Sequence, residues 1–295
     1  MNILNLITYE KTSAICACIL IKIRAEPFIK GGHNLKAALA QTNIKWEDKA
    51  ANMITASEMI AQAASNGCDL IVFPEMSLTG FSMNINLIAE YSGSSETVSF
   101  FMEEAKRNNI YISFGTAIIE SDGKIYNKAI TVSNTGEIVS SYSKIHPFSH
   151  GVEAKYFTGG NEIKWFDLNG VTASTFICYD LRFPEIFQTA SLKSRLLIVL
   201  ACWPNVRTSH WDVLLKARAI ENQAFIIGVN RTGHEMKYSY NGHSQAVSPR
   251  GEVLNELVEN EALIITEFNI SDADDYRNEF QLKQDRKPQI YKQFL

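Results

Sequence analysis

The chain has 295 residues, of which 46% are hydrophobic, so it is long and apolar enough to bury one large core. Its formal net charge is −4 and it has no basic stripe, which excludes nucleic acid as an expected partner. The longest apolar runs have eight residues, whereas a transmembrane helix needs roughly 20, so we expect no membrane association.

The cysteines bear on compartment and metal binding. Their number is odd and their spacing matches no disulfide framework, and no Cys-x-x-Cys pair occurs, so we predict no metal site. Reduced thiols are typical of a cytoplasmic protein, which is the localisation we predict. The five cysteines are Cys16, Cys18, Cys68, Cys178 and Cys202.

Residues 1–34 differ from the rest of the chain. They contain an apolar run at 14–21, but no basic region precedes it and no Ala-x-Ala cleavage site follows, so they match a signal peptide poorly. We expect an N-terminal extension outside the core over residues 1–34 and a single domain over residues 35–295.

Strands and helices alternate from residue 35 onward. The segment 35–41 predicts the first core strand, and 46–66 carries apolar residues at helical spacing before the cap residue Gly67. Turns are predicted at Asp122-Gly123, Thr135-Gly136, Asn241-Gly242 and Pro249-Arg250-Gly251. The other predicted elements are strands at 69–74, 110–119, 125–133, 138–143, 196–201, 224–229 and 263–268, a strand before Cys178 with a helix after it, and helices at 95–108 and 209–223.

This order of elements predicts a mixed α/β fold. Units in which a helix follows a strand stand beside antiparallel meanders, which indicates mixed sheets covered by helices. Two such halves would pack sheet against sheet.

Three predicted strands end on residues that can carry chemistry. Cys178 follows an apolar β-rich run, Glu75 follows the strand at 69–74, and Lys144 follows the strand at 138–143. A side chain at such a turn lies at the rim of a sheet, where backbone N–H groups can stabilise an anion. A thiol, a carboxylate and an ammonium at three strand ends therefore indicate a catalytic set.

The same strand ends carry a family resemblance. In their order and intervals, three segments resemble the nitrilase superfamily of carbon–nitrogen hydrolases: Phe73-Pro74-Glu75-Met76-Ser77-Leu78-Thr79-Gly80-Phe81, Ser143-Lys144-Ile145-His146-Pro147-Phe148, and Cys178-Tyr179-Asp180-Leu181-Arg182-Phe183-Pro184-Glu185. The resemblance covers about residues 35–268. It implies a four-layer α-β-β-α sandwich, a carbon–nitrogen hydrolase domain over 35–295, a homodimer or larger homo-oligomer, and a Glu-Lys-Cys triad that requires no cofactor.

Within the superfamily, the chain looks most like omega-amidases, which hydrolyse the terminal amide of 2-oxoglutaramate and related small dicarboxylic monoamides. The segments that carry this likeness are 203–223, 228–231 and 240–244. True nitrilases tend to have Trp-Glu after the nucleophile, whereas this chain has Tyr179-Asp180. The difference favours an amide over a nitrile as the small-molecule substrate.

The set predicts a mechanism through a thioester. We expect Lys144 and a helix N-terminus to favour the thiolate of Cys178, and Glu75 to act as general base. The oxyanion formed by attack on an amide would be held by Lys144 and the backbone N–H of Tyr179. Water would then hydrolyse the acyl-enzyme.

Other residues are expected to support this set. The resemblance places a second glutamate at Glu153, which would position Lys144; the alternative is an exposed loop carboxylate. Asn127, Arg182 and Glu185 would line or brace the site. We interpret Arg182 and Glu185 mainly as a structural ion pair that fixes the segment after Cys178.

Loops that should border the pocket provide the expected substrate contacts. These are Phe81, Trp203 and Arg207, together with Tyr179. Arg207 could bind a substrate carboxylate through two parallel hydrogen bonds; a surface arginine is an equal alternative.

The sequence leaves other functional interpretations open. A papain-like site would pair Cys178 with His146, His210 or His243, but no Cys–His–Asn order follows, and we interpret these histidines as scaffold. An N-carbamoyl-amine hydrolase or a deaminated-glutathione amidase is the alternative within the superfamily. A catalytically inactive dimeric scaffold is the alternative from another class. A dinucleotide-binding module is disfavoured because no Gly-x-Gly-x-x-Gly follows the first strand.

Overall fold

The structure is a computed structural model that describes residues 19–22, 34–235 and 237–294. Its strands are β1 (Ile19–Lys22), β2 (Asn34–Gln41), β3 (Leu70–Val72), β4 (Ala89–Tyr91), β5 (Tyr111–Ile119), β6 (Ile125–Val132), β7 (Ile138–Ser143), β8 (Phe166–Leu168), β9 (Val171–Ile177), β10 (Leu196–Ala201), β11 (Phe225–Asn230), β12 (Thr232–Glu235), β13 (Tyr238–Asn241), β14 (Gln245–Val247) and β15 (Ala262–Asn269).

The helices are α1 (Lys49–Ser65), α2 (Ile85–Ile88), α3 (Glu96–Asn108), α4 (Glu153–Tyr156), α5 (Pro184–Ala190), α6 (Thr208–Asn222), α7 (Ser271–Glu279) and α8 (Pro288–Tyr291), with 3₁₀ turns at Cys178–Arg182, Asn205–Arg207 and Leu282–Asp285. Side-chain caps fix two starts. Asp48 accepts a hydrogen bond from Ala51 N at 3.0 Å, and Ser95 accepts one from Val98 N at 3.1 Å. None of the helices in the described part of the chain is long and apolar enough to cross a membrane.

The strands form two large mixed sheets and a separate hairpin. The first sheet has eight strands in the order β1-β15-β2-β3-β5-β6-β7, with β4 also pairing with β5. The second has five strands in the order β14-β11-β10-β9-β8, with a parallel centre of β11, β10 and β9. Strands β12 and β13 form the hairpin.

The alternation of β2 shows how the layers are built. Ala37 and Leu39 face the core between the two sheets, whereas Ala38 and Ala40 face the core under α1 and α3. On the other side, α5 and α6 cover the second sheet with Phe187, Trp211 and Leu215. The predicted four-layer α-β-β-α sandwich is confirmed.

Most predicted elements form where the pattern placed them, with one clear error. The turn at Pro249-Arg250-Gly251 is present, since Gly251 N donates to Ser248 O at 2.9 Å. Asn241-Gly242 is not a hairpin turn: Asn241 ends β13, where it pairs with Thr232 at the start of β12. The Asn-Gly pattern is a local signal, whereas the position of the hairpin is set by the pairing of Glu235 with Tyr238.

The structure describes only a few residues of the predicted N-terminal extension. Within 1–34, strand β1 pairs in parallel with β15 at the edge of the first sheet, and Asn34 begins β2. The rest of that segment lies outside the described residues, so the boundary at residue 34 stays a prediction.

Candidate active site

Four strand ends meet in one cavity of about 730 Å³. Glu75 comes soon after β3 and Lys144 directly after β7 of the first sheet, whereas Cys178 and Cys202 directly follow β9 and β10 of the second. All four line the cavity. The other residues that line it include Phe81, Phe148, Tyr179, Arg182, Trp203, Arg207, Glu47, Glu235 and Tyr240.

Lys144 lies at the centre of a buried ionic network. Its Nζ is 2.9 Å from Glu75 Oε1 and 2.9 Å from Glu153 Oε2, and all three side chains are at most 1% exposed. Asn127 Nδ2 donates to both carboxylates, at 2.7 Å to Glu75 and 2.9 Å to Glu153. The expected bracing by Asn127 is therefore present, and Glu153 is not an exposed loop carboxylate.

Two carboxylates decide the charge of the Lys144 amine. Burial alone would lower the pKa of Lys144, but the charges of Glu75 and Glu153 outweigh it and raise the pKa well above its ordinary value. The amine is therefore an ammonium at neutral pH. A buried ammonium with fixed partners is suited to stabilise a negative charge that forms beside it.

Cys178 occupies a backbone conformation that L-residues rarely adopt. Its φ is +44° at the junction of β9 and the 3₁₀ turn, and its side chain is partly exposed in the cavity. Left-handed non-glycine residues cost about 1–3 kcal/mol and often lie at functional sites. A short 3₁₀ turn, rather than an α-helix, begins at the nucleophile, and α5 starts only at Pro184.

The surroundings of Cys178 favour the thiol, whereas from the sequence we expected Lys144 and a helix N-terminus to favour the thiolate. Burial and the charge of Glu75 raise the pKa of Cys178 well above its ordinary value, and the opposing effect of Lys144 is smaller. A neutral thiol needs a base to remove its proton during attack, and Glu75, which lines the same cavity, is the candidate for that base.

The four expected substrate contacts all border the cavity. The ring of Phe81 lies 5.4 Å from Lys144 Nζ. The indole of Trp203 is held in place by a hydrogen bond from its Nε1 to Arg207 O, at 2.8 Å. Tyr179 packs edge-on against Phe148, with ring centroids 5.0 Å apart. Aromatic side chains therefore line the same cavity as Cys178.

Arg182 does not form the expected ion pair with Glu185. Glu185 is exposed, whereas the guanidinium of Arg182 lies 4.7 Å from the ring centroid of Trp203 and lines the cavity. Arg182 and Arg207 line the same cavity, and burial and the charge of Arg207 lower the pKa of Arg182. Within the described ranges, neither arginine has a carboxylate within 4.0 Å. The prediction was wrong because the turn directs Arg182 toward the pocket.

The sequence reasoning missed several lining residues. Cys202 carries the same signal as the other three, because a buried strand ends directly before it. Glu235 had no such signal: it is buried, pairs with Arg231, and burial raises its pKa to about 7. His146, His210 and His243 do not line the cavity, as expected for scaffold residues.

Comparisons with known proteins agree with this geometry. Residues 36–278 match the family model described as carbon-nitrogen hydrolase. The chain belongs to the carbon–nitrogen hydrolase family. It is therefore an amidohydrolase that acts on carbon–nitrogen bonds.

Relatives within the carbon–nitrogen hydrolase family include two named amidases. A 2-oxoglutaramate amidase of Bacillus subtilis is 32% identical over 82% of this chain and 94% of its own length. Omega-amidase YafV of Escherichia coli is 31% identical over 85% and 96%. Among solved structures, a superfamily protein from Xanthomonas campestris superposes with a TM-score of 0.81 at 26% identity, over 86% of this chain and 98% of that one.

Proposed function

We propose that this carbon–nitrogen hydrolase is an omega-amidase that converts a small dicarboxylic monoamide, such as 2-oxoglutaramate, to the acid and ammonia. The observation that carries the proposal is the position of Arg182 and Arg207. Both line the cavity that holds Cys178, and neither has a carboxylate partner among the described residues. A guanidinium binds a carboxylate with matched geometry, so an acyl chain that ends in one is the complementary ligand.

The reaction begins at the thiol. Glu75 takes the proton of Cys178 as the sulfur attacks the amide carbon, which gives a tetrahedral species with a negative oxygen. Lys144 Nζ and the backbone N–H of Tyr179 stabilise that oxygen. Glu75 then passes its proton to the nitrogen, the C–N bond breaks, and ammonia leaves a thioester on Cys178.

The second half uses the same groups in reverse. Glu75 removes a proton from water, the hydroxide adds to the thioester carbon, and the C–S bond breaks with return of the proton to sulfur. Glu153 keeps Lys144 charged and directed at the oxyanion throughout, since both of its oxygens accept hydrogen bonds from Nζ, at 3.0 and 2.9 Å. The net change is amide plus water to acid plus ammonia, and no cofactor is required.

A substrate panel tests the proposal. Ammonia release from 2-oxoglutaramate and succinamate should exceed that from an uncharged amide of the same length. If only an N-carbamoyl compound releases ammonia, together with carbon dioxide, the omega-amidase assignment fails. Cys178→Ala should abolish both turnover and the acyl-enzyme mass adduct, whereas Cys68→Ala, at a buried cysteine outside the cavity lining, should preserve them.

The size of the cavity favours a second candidate from the same family. At about 730 Å³ it exceeds what a small monoamide fills, and it extends along Glu47, Met83 and Asn84. A longer amide such as deaminated glutathione would use that additional space. If this compound has the higher kcat/KM in the panel, the enzyme is a deaminated-glutathione amidase.

We further propose that two copies of the chain associate through the helical layer over the second sheet. Val206, Val213 and Ile220 are exposed, with exposed fractions of 77%, 64% and 47%. They recur every seven residues along α6 and the turn before it. Apolar residues repeated on one helix face are suited to a self-complementary interface. Light scattering should give a dimer mass, and Val213→Glu should shift it toward the monomer.

A further inference from the structure

The carboxylate of Asp180 is fully buried, yet no lysine or arginine in the described ranges pairs with it. It is 0% exposed and accepts four hydrogen bonds. Oδ1 accepts from the backbone N and the ring Nδ1 of His146, at 3.0 and 2.8 Å. Oδ2 accepts from the hydroxyl of Tyr142 at 2.7 Å and from the backbone N of Ile177 at 3.1 Å. Burial of a charge without a strong cation is costly, so its donors must satisfy it fully.

The donors come from the two segments that carry Lys144 and Cys178. Tyr142 and His146 lie two residues on either side of Lys144, and Ile177 directly precedes Cys178. The first segment belongs to the first sheet and the second to the opposite sheet. Asp180 therefore joins the segment that carries Lys144 to the segment that carries Cys178, although it does not line the cavity.

The surroundings of Asp180 keep this link in a single arrangement. Burial and the charge of Asp180 raise the pKa of Tyr142, so its hydroxyl stays a donor. The ring of His146 is stacked on Phe183, with centroids 3.7 Å apart and planes at 10°. The bond from Ile177 N closes the tight turn that holds Cys178 at its positive φ.

We propose that Asp180 is a positioning residue that sets the distance between the Cys178 sulfur and the Lys144 ammonium. The proposal rests on the proposed roles of those two groups. The link supplements the ring contacts of Tyr142 with Phe176 and of His146 with Phe183, and its directional hydrogen bonds set the distance between the end of β7 and the turn at Cys178. A displacement of about 1 Å between reacting groups costs about 100-fold in rate.

Asp180→Asn is the test variant because it keeps the volume and removes one acceptor. Whichever way the amide turns, its NH2 group faces two of the four donors. We expect kcat to fall about 100-fold, with KM for the monoamide within threefold of wild type, because Arg182 and Arg207 are untouched. The rate of Cys178 alkylation by iodoacetamide, measured per folded molecule, should also change by more than threefold.

Asp167→Asn is the matched control. Asp167 also closes a turn, accepting from Gly170 N at 2.9 Å, but this turn between β8 and β9 is exposed and does not line the cavity. It should leave kcat and alkylation unchanged. If Asp180→Asn fails to fold, Tyr142→Phe decides, since it removes a single donor and should lower kcat about tenfold.

The outcomes separate this proposal from the proposed function. If wild type turns over an amide but Asp180→Asn, or Tyr142→Phe in its place, keeps kcat and the alkylation rate within threefold, the positioning role is overturned. If wild type hydrolyses no amide in the panel, the proposed function fails, and the alkylation rates still decide whether Asp180 positions Cys178.

Discussion

The backbone N–H of Cys202 donates a 3.0 Å hydrogen bond to Oε2 of Glu75, although these two residues follow strands of opposite sheets. The thiol of Cys202 also contacts the Glu75 carbonyl oxygen, at 3.2 Å. The orientation of the proposed base is therefore set by the sheet that carries Cys178, the proposed nucleophile. The proposed catalytic set is complete only when the two sheets are packed together.

Asn127 should be important for both activity and stability. Asn127→Ala removes the amide donor shared by Glu75 and Glu153, so each buried carboxylate loses a hydrogen bond while Lys144 still pairs with both. We expect kcat to fall at least tenfold and the free energy of unfolding to fall by about 1–3 kcal/mol. Steady-state kinetics and urea unfolding check this. Asn134→Ala, which removes an exposed hydrogen bond to Asn109, is the control; equal effects of the two variants would contradict the prediction.

Removal of the Glu75 charge should raise the reactivity of the Cys178 thiol at a given pH but abolish turnover. Because Glu75 and burial raise the pKa of the thiol, wild-type alkylation by iodoacetamide should increase with pH without a plateau below pH about 9. Glu75→Gln removes the neighbouring negative charge, so the pKa of Cys178 falls and the alkylation profile moves to lower pH. Turnover should nevertheless be lost, because the base is gone. A plateau near pH 7 in wild type would show that the thiolate is the resting form.

Arg182 should distinguish anionic from neutral substrates. Arg182→Gln removes one guanidinium from the cavity wall, and we expect kcat/KM for 2-oxoglutaramate to fall about 10- to 100-fold, the loss of one charge-assisted hydrogen-bonding group. Hydrolysis of an uncharged amide should change less than threefold. Arg107→Gln, which removes an exposed guanidinium paired with Glu104 on α3, away from the cavity lining, should affect neither substrate. Equal losses for charged and neutral amides would exclude a carboxylate contact at Arg182.

Gly228 tests the packing of α6 on the second sheet. A Cβ at this position would lie 2.6 Å from Leu215 Cδ1 and 2.9 Å from Trp211 Cζ2, with both side chains fully buried. Gly228→Ala should therefore lower the free energy of unfolding by about 1–3 kcal/mol. Gly93→Ala is the control, because nothing lies within 4 Å of its added Cβ. Urea denaturation of both variants checks the difference.

The sequence by itself determined much of the fold and the identity of three candidate residues. Period-2 and helical apolar patterns are local properties, and they placed β2, α1, α3 and α6 within a few residues. Strand ends were readable for the same reason. Glu75, Lys144 and Cys178 each follow a strand, so each could be predicted to lie at the rim of a sheet.

Only the tertiary structure decided which neighbours these residues have. Arg182 meets Trp203 rather than Glu185, and Cys202 meets Glu75 across 127 positions of sequence. The protonation state of Cys178 was also beyond the sequence. It depends on how far water is excluded and on the balance of Glu75 against Lys144, and these quantities exist only once both sheets are packed.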